Sequence, residues 1–290
     1  MIGVVDAHVH FWDPAELDYP WLAALPSIRR AFRPSDYAAA AREVGGSLPQ
    51  VMFVEANCRP EQARREVQRV ERMVREGEED LCVAGIVAFA DLTQGSGAGG
   101  WGLEQTLDGL SRSPKVKGIR HNIHGQPAGF CLQPAFVLGV QTVGRRGLTF
   151  DLCATHDQLR DVADLVRQCP DTRFVLDHCG KPAIRTGRLE PWRADMARLA
   201  AHENVCCKLS GLLTEAEPAG WREQELVPYA TAVVECFGSE RVMYGSDWPV
   251  LTLAGRYCDW YGFSDRFTAG WSAAERTGFF ADNAKRVYRL

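Results

Sequence analysis

Val83-Ala84-Gly85-Ile86-Val87-Ala88-Phe89 is an apolar run with no polar alternation. A run this short and this uniform fits a strand buried on both faces, the condition found in parallel sheets. Similar runs recur on both sides of it: Ile2–Val5, Gln50–Val54, Val116–Ile119, Leu148–Leu152, Arg173–Leu176, Val205–Leu209 and Arg241–Tyr244. Together they make eight, spaced by roughly 30 residues, the size of one βα unit. The intervals carry helical patterns. Glu61–Glu76 sets Ala63, Val67, Val70 and Val74 on one stripe, and His156–Cys169 does the same with Leu159, Val162, Leu165 and Val166. Ala230–Phe237 and Ala273–Tyr288 are further candidates. Eight strands alternating with helices predict an α/β protein, a single (β/α)8 TIM barrel forming one domain over 1–290. A doubly wound open sheet is the alternative, because periodicity does not report closure.

Bulk properties narrow the class. The chain has 290 residues, 46% of them hydrophobic, and a net charge of −4 with both signs interspersed. No basic stripe points to nucleic acid, and no apolar run approaches the roughly 18 residues that span a bilayer. The helix faces carry ordinary mixed charge and point to no particular oligomeric state. A first strand that begins near Met1 leaves no room for a signal peptide, so a cytoplasmic location is expected. The ten cysteines include no Cys-x-x-Cys pair, which favours reduced thiols over a disulfide framework.

In a barrel of this kind, function sits at the C-terminal ends of the strands. His8 and His10 follow strand one, Glu55 and Asn57 strand two, and Asp91 strand three. Arg120, His121 and His124 follow strand four, and His156 strand five. Asp177 and His178 end strand six, Lys208 and Ser210 strand seven, and Asp247 strand eight. Of the seven histidines only His202 falls elsewhere. His8 and His10, two apart, leave a strand from the same face, and imidazoles with a carboxylate hold a zinc-like ion with a position open for water.

Each candidate has a structural alternative. His178 can be a hydrogen-bonded histidine beside Gly180, His156 an exposed helix start, and one of His121 and His124 a loop residue. Glu55 can pair with Arg120 instead of touching substrate, and Asp247 can cap a turn. Asp177, one before His178, points away from the site by alternation. Trp12, Trp101 and Trp248 are either core residues or rings that stack on a sugar. The long segment Asp13–Ala39 and the glycine-rich Thr93–Gly102 both follow strands, on the side of the active-site loops.

Asp6-Ala7-His8-Val9-His10-Phe11-Trp12-Asp13-Pro14, Lys117-Gly118-Ile119-Arg120-His121, Leu176-Asp177-His178-Cys179-Gly180-Lys181-Pro182, Lys208-Leu209-Ser210-Gly211-Leu212 and Tyr244-Gly245-Ser246-Asp247-Trp248-Pro249 occur in that order, followed by Asn283-Ala284-Lys285-Arg286-Val287-Tyr288. This series resembles the amidohydrolase superfamily, in its amidohydrolase 2 branch of sugar and pyrone lactonases. Within that branch the pattern is most like L-fuconolactonase and L-rhamnonolactonase, and more distantly 2-pyrone-4,6-dicarboxylate lactonase.

The resemblance implies a barrel that hydrolyses a ring ester, with a small-molecule lactone as its partner. It implies one divalent ion, zinc or else manganese, held by His8, His10 and Asp247 with His156 or His178 contributing, although some pyrone-lactonase relatives work without metal. It implies Asp247, His178 and Arg120 as the catalytic group: Asp247 as general base, Arg120 and His178 polarising the carbonyl. Glu55, His121, His124, Trp12 and Trp248 are then the expected substrate contacts. Two competing expectations are a metal-dependent decarboxylase of a cyclic acid and a barrel that binds a sugar acid without catalysis. Several decarboxylases of the branch begin with glutamate where this chain has His8, and a pure binding site has no need of so many strand-end histidines.

Overall fold

In the computed structural model the apolar runs are strands: β1 (Val5–Val9), β2 (Gln50–Val54), β3 (Val83–Phe89), β4 (Val116–Arg120), β5 (Thr149–Leu152), β6 (Arg173–Leu176), β7 (Val205–Leu209) and β8 (Val242–Tyr244). Residues 3–77, 81–94, 102–218 and 220–290 are described. The glycine-rich run and Trp101 therefore lie largely outside the described residues, as does Ile2. The strands lie side by side in chain order, every pair parallel. A doubly wound sheet would reverse that order at a switch point; here the sequence of strands runs unbroken from β1 to β8. The ring is completed by a parallel bridge between Val9 and Trp248, with His10 N–H donating to the Trp248 carbonyl (2.8 Å) and Asp247 N–H to the His8 carbonyl (2.9 Å). The fold is thus a (β/α)8 barrel, closed at the residues singled out for chemistry.

Helices fill the intervals: α1 (Pro34–Arg42), α2 (Ala63–Glu76), α3 (Leu103–Leu110), α4 (Pro134–Arg145), α5 (Leu159–Gln168), α6 (Trp192–Ala200), α7 (Leu212–Glu215) and α8 (Glu223–Phe237), then α9 (Tyr257–Phe267), α10 (Ala273–Thr277) and α11 (Asn283–Tyr288). Helix α2 buries Val67, Val70 and Met73 against the sheet and stops at Gly77, whose φ of 66° supplies the left-handed turn. Helix α8 begins seven residues before the expected Ala230 and tolerates Pro228 inside it. The last helical pattern is interrupted by a π-type turn at Gly278–Asp282.

Strand β1 corrects the expected Ile2–Val5. It runs to Val9, carrying Asp6 and His8 within it, and its pairing with β2 is irregular between Asp6 and Val9. Polar residues do not break the strand because their groups are satisfied: Asp6 accepts from Ser246 N–H (2.8 Å) and Tyr37 Oη (3.0 Å). The Asp13–Ala39 segment is packed down on β2 and α2. Trp21 Nε1 donates to the Ala56 carbonyl (2.8 Å), Asp18 pairs with Arg59, and Glu16 is held by Arg69 (3.1 Å) and Arg72 (2.9 Å).

At the opposite end of the barrel, Ala284, Val287 and Tyr288 of α11 pack with Val5, Met52, Val175 and Met243 and plug the bottom. All ten cysteines are unpaired. Among the described residues no helix is long and apolar enough to cross a membrane.

Candidate active site

The strand ends bring three imidazoles and a carboxylate together at the mouth. His8 Nε2 lies 3.1 Å from His10 Nε2, and Asp247 Oδ1 lies 3.4 Å from His10 Nε2, 3.7 Å from His8 Nε2 and 3.9 Å from His178 Nε2. One ligand atom each from His8, His178 and Asp247 lies within 4.8 Å of the others, and all three residues are buried. The far nitrogens are tied back: His10 Nδ1 donates to the Val54 carbonyl (2.7 Å), His8 Nδ1 meets Asp177 Oδ1 (3.2 Å), and His178 Nδ1 meets Ser210 Oγ (2.9 Å). Such back contacts orient ring nitrogens toward a shared centre.

Backbone shape aims these groups. His178 (φ 52°), Cys179 (φ 54°) and Asp247 (φ 60°) occupy the left-handed region, uncommon for residues with a Cβ. Such conformations cost about 1–3 kcal/mol each and persist where surrounding structure enforces them. Part of the enforcement is visible. Asp6 Oδ1 accepts from both Ser246 N–H (2.8 Å) and His8 N–H (3.3 Å), clamping the first-strand histidine to the eighth-strand acid. Gly211, itself at φ 69°, lies under the His178 ring, where a Cβ would come within 2.8 Å of His178 Cβ.

The electrostatics suit a cation. Burial holds His8 well below its ordinary pKa, more than offsetting the pull of Asp177; burial does the same to His178 against the pull of Asp247. Burial alone would raise Asp247, but His178, His10 and Lys181 outweigh it and keep its carboxyl below the usual range. Neutral imidazoles beside an ionised carboxylate are the protonation states that metal ligation needs. His10 Nδ1 can only donate to Val54, which makes its Nε2 an acceptor; His8 Nε2 beside it either donates to it or shares a cation with it. The residues present therefore fit a divalent ion.

The remaining expected residues are placed differently. Asp177 was expected to point away, and this is corrected. Asp177 shares the inward face of Val175, and the left-handed turn at His178 breaks alternation so that His178 faces inward too; Asp177 touches His8, Arg120 (3.2 Å) and Lys208 (2.9 Å). Arg120 is buried, and its donors are engaged: Nε to Glu55 Oε1 (2.6 Å), Nη2 to the Glu55 carbonyl (2.5 Å), Nη1 to Asp177, with His8 Nε2 at 3.4 Å. Glu55 is thus the ion-pair partner of Arg120.

His156 stands outside the His8–His178–Asp247 group, half-buried, with Nδ1 3.1 Å from the Lys181 carbonyl. His121 accepts from Leu92 N–H (3.2 Å) and packs among Phe89, Phe130 and Phe136, while His124 is exposed. Trp12 and Trp248 are core residues. The Trp12 indole donates to the Ile28 carbonyl (3.2 Å) between Trp21 and Phe32, and Trp248 packs with Phe11, Phe32 and Tyr37. Neither offers a free face for stacking.

Asp6, Asp151 and Glu66 carry parts of the site that strand-end reasoning does not reach. An acid inside a strand run, as in Val5–Val9 or Thr149–Leu152, is the only trace that Asp6 and Asp151 leave in the sequence. Glu66, on α2, is pushed up to about 8 by burial and by the Glu55 carboxylate. The folded protein then holds a proton that the unfolded chain releases near about 4.3. Stability should therefore fall as pH rises from about 4.5 to about 8. Glu66→Gln keeps the acceptor for Ala56 N–H (3.2 Å) and removes the titration. Thermal melts at pH 6 and pH 9 should show a smaller loss for the variant; equal losses would show that Glu66 does not carry the effect.

Comparison with known proteins gives a consistent picture. The amidohydrolase family model of the Amidohydro_2 type matches residues 5–290. An L-fucono-1,5-lactonase from Burkholderia ambifaria is 32% identical over 295 residues, covering 99% of this chain and 95% of the relative. An L-rhamnono-gamma-lactonase from Scheffersomyces stipitis is 24% identical over 237 residues, covering 72% and 69%. The crystal structure of a Burkholderia multivorans amidohydrolase with bound zinc superposes with a TM-score of 0.86 at 29% identity, covering 99% of both chains.

Proposed function

The chain belongs to the amidohydrolase family, and from that premise we propose that it hydrolyses the ring ester of a sugar-acid lactone, such as an L-fucono- or L-rhamnonolactone, to the open hydroxy acid. The observation that carries this reading is the convergence of His8, His10, His178 and Asp247 at the barrel mouth, with each imidazole tied back through its far nitrogen. Full-length relatives named as lactonases supply the substrate class.

A divalent ion, zinc or manganese, would be held by His8, His178 and Asp247 with His10 beside them, and would supply Lewis acidity and an acidified water. The chain's own acid–base work falls to Asp247. It is an ionised carboxylate within reach of three imidazoles, placed to take a proton from attacking water and return it to the ring oxygen as the ester opens. Asp6 holds the backbone that presents it. Arg120, whose donors are committed to Glu55 and Asp177, acts by positioning those carboxylates. The buried carboxylates Glu55, Asp151, Asp177 and Asp247 outnumber the buried cations Arg120 and Lys208 around the centre, a balance that favours a bound cation.

A pH-indicator assay over fucono-, rhamnono-, galactono- and arabinonolactones and pyrone dicarboxylate tests the reading. Turnover of a sugar lactone, lost on chelation and restored by zinc or manganese, is the expected result. Turnover indifferent to chelator would move His8, His10 and Asp247 to direct acid–base roles. No turnover on any sugar lactone would overturn the proposal.

A further inference from the structure

Beneath the imidazoles lies a chain of buried polar groups. Tyr288 Oη, at the bottom plug, donates to Asp151 Oδ2 (2.7 Å), and Lys208 Nζ donates to the same oxygen (2.6 Å) and to Asp177 Oδ1 (2.9 Å). Asp177 Oδ1 lies 3.2 Å from His8 Nδ1, and Lys208 Nζ lies 3.3 Å from that same nitrogen. Lys208, Asp151 and Asp177 are 0% exposed. Burying an ammonium and two carboxylates is costly compared with apolar packing of the same volume, and here the arrangement ends on one ring nitrogen.

That nitrogen faces a donor and an acceptor at nearly equal distance. Lys208 can only donate, so it supports the His8 tautomer whose Nδ1 is bare and whose Nε2 carries the proton. Asp177 can only accept, so it supports the opposite tautomer. The far side of the ring is divided as well, since Arg120 Nη1, which can only donate, lies 3.4 Å from His8 Nε2 and favours a bare nitrogen there. His10 Nε2, an acceptor because its Nδ1 donates to Val54, lies 3.1 Å from His8 Nε2 and satisfies an Nε2–H there. A cation at the cluster instead requires a bare Nε2.

We propose that Lys208 and Asp177 form a tautomer selector for His8, with Lys208 as a positioning residue. Without a cation, His8 accepts from Lys208 at Nδ1 and donates from Nε2 to His10. With a cation bound, water entering with the ion takes the Nε2 proton and returns one at Nδ1, which then donates to Asp177. Proton count at His8 does not change, so the ring offers a lone pair without net proton release. Lys208 stays anchored on Asp151 throughout. The inference rests on the reading that a cation occupies this cluster.

The experiment uses the full chain labelled with ¹⁵N-histidine, its His8 signals assigned by their loss in His8→Asn. Long-range ¹H–¹⁵N spectra should show His8 protonated at Nε2 in metal-free protein and at Nδ1 after zinc saturation. In metal-free Lys208→Met the Nδ1–H form should already dominate. Asp177→Asn should weaken zinc binding by about 10–100-fold in competition with a chromophoric chelator, measured below its melting temperature, which falls because Arg120 and Lys208 lose a buried partner. Should Lys208→Met fail to fold, Lys208→Met/Asp151→Asn removes the ammonium together with one carboxylate and carries the same expectation. A His8 that is Nδ1–H in both states, or a tautomer indifferent to loss of Lys208, overturns the selector. Absence of zinc binding by the wild type would instead overturn the cation reading, while the metal-free spectra still decide the role of Lys208.

Discussion

Asp247→Asn should abolish measurable lactone turnover while leaving the fold in place. Asparagine has the same shape and tolerates left-handed backbone better than most residues, so the φ of 60° at this position is preserved. The backbone N–H still donates to the His8 carbonyl (2.9 Å), and barrel closure does not depend on the side chain. What disappears is an oxygen able to accept a proton within 3.4–3.9 Å of three imidazoles. Loss of a positioned general base costs roughly 10²–10⁴-fold in rate, and loss of a carboxylate ligand weakens cation binding in addition. The measurement is kcat at saturating zinc alongside a thermal melt. A kcat near wild type would remove Asp247 from the chemistry; a collapsed melt would make it structural.

Arg120→Met is the second large effect, and it separates two roles. A guanidinium free to polarise the substrate carbonyl would, when lost, lower kcat and leave stability alone. The structure shows it bonded to Glu55, to the Glu55 carbonyl and to Asp177, with all three residues buried. Removing it strands two buried carboxylates, a change that costs about 3–5 kcal/mol. At roughly 2.1 cal/mol/K of unfolding entropy per residue, this corresponds to a fall in Tm of roughly 5–8 °C. The same variant loosens Asp177 behind His8, so zinc affinity should fall with it. An unchanged Tm with a lowered kcat would restore Arg120 to polarising the carbonyl.

Particular residues show how far sequence reaches. The run Val83–Phe89 became β3 without a change of boundary, as did Gln50–Val54, Arg173–Leu176 and Val205–Leu209 for β2, β6 and β7. A two-face-buried strand writes its burial into consecutive residues, a local signal. The ordered spacing of those runs carried the barrel, and placing His8, His10, His178 and Asp247 at strand ends carried their meeting at one mouth. His178 shows where alternation fails: Asp177 keeps the inward face of Val175, and the left-handed backbone at His178 turns the next side chain inward as well. Trp12 and His156 show the same limit for loops, since burial and facing there depend on what packs over them.

The sequence by itself thus determined the eight-fold βα order and the set of residues delivered to one end of the barrel, because both follow from local hydrophobic pattern and strand spacing. Only the tertiary structure decided that Arg120 serves Glu55 and Asp177, that Asp6 ties β1 to the Asp247 turn, and that Lys208 and Asp177 share one nitrogen of His8. Those partnerships join residues 57 to 240 positions apart. They arise from closure of the ring, which places side chains of distant strands within hydrogen-bond reach in a space too dry to leave any of them unpaired.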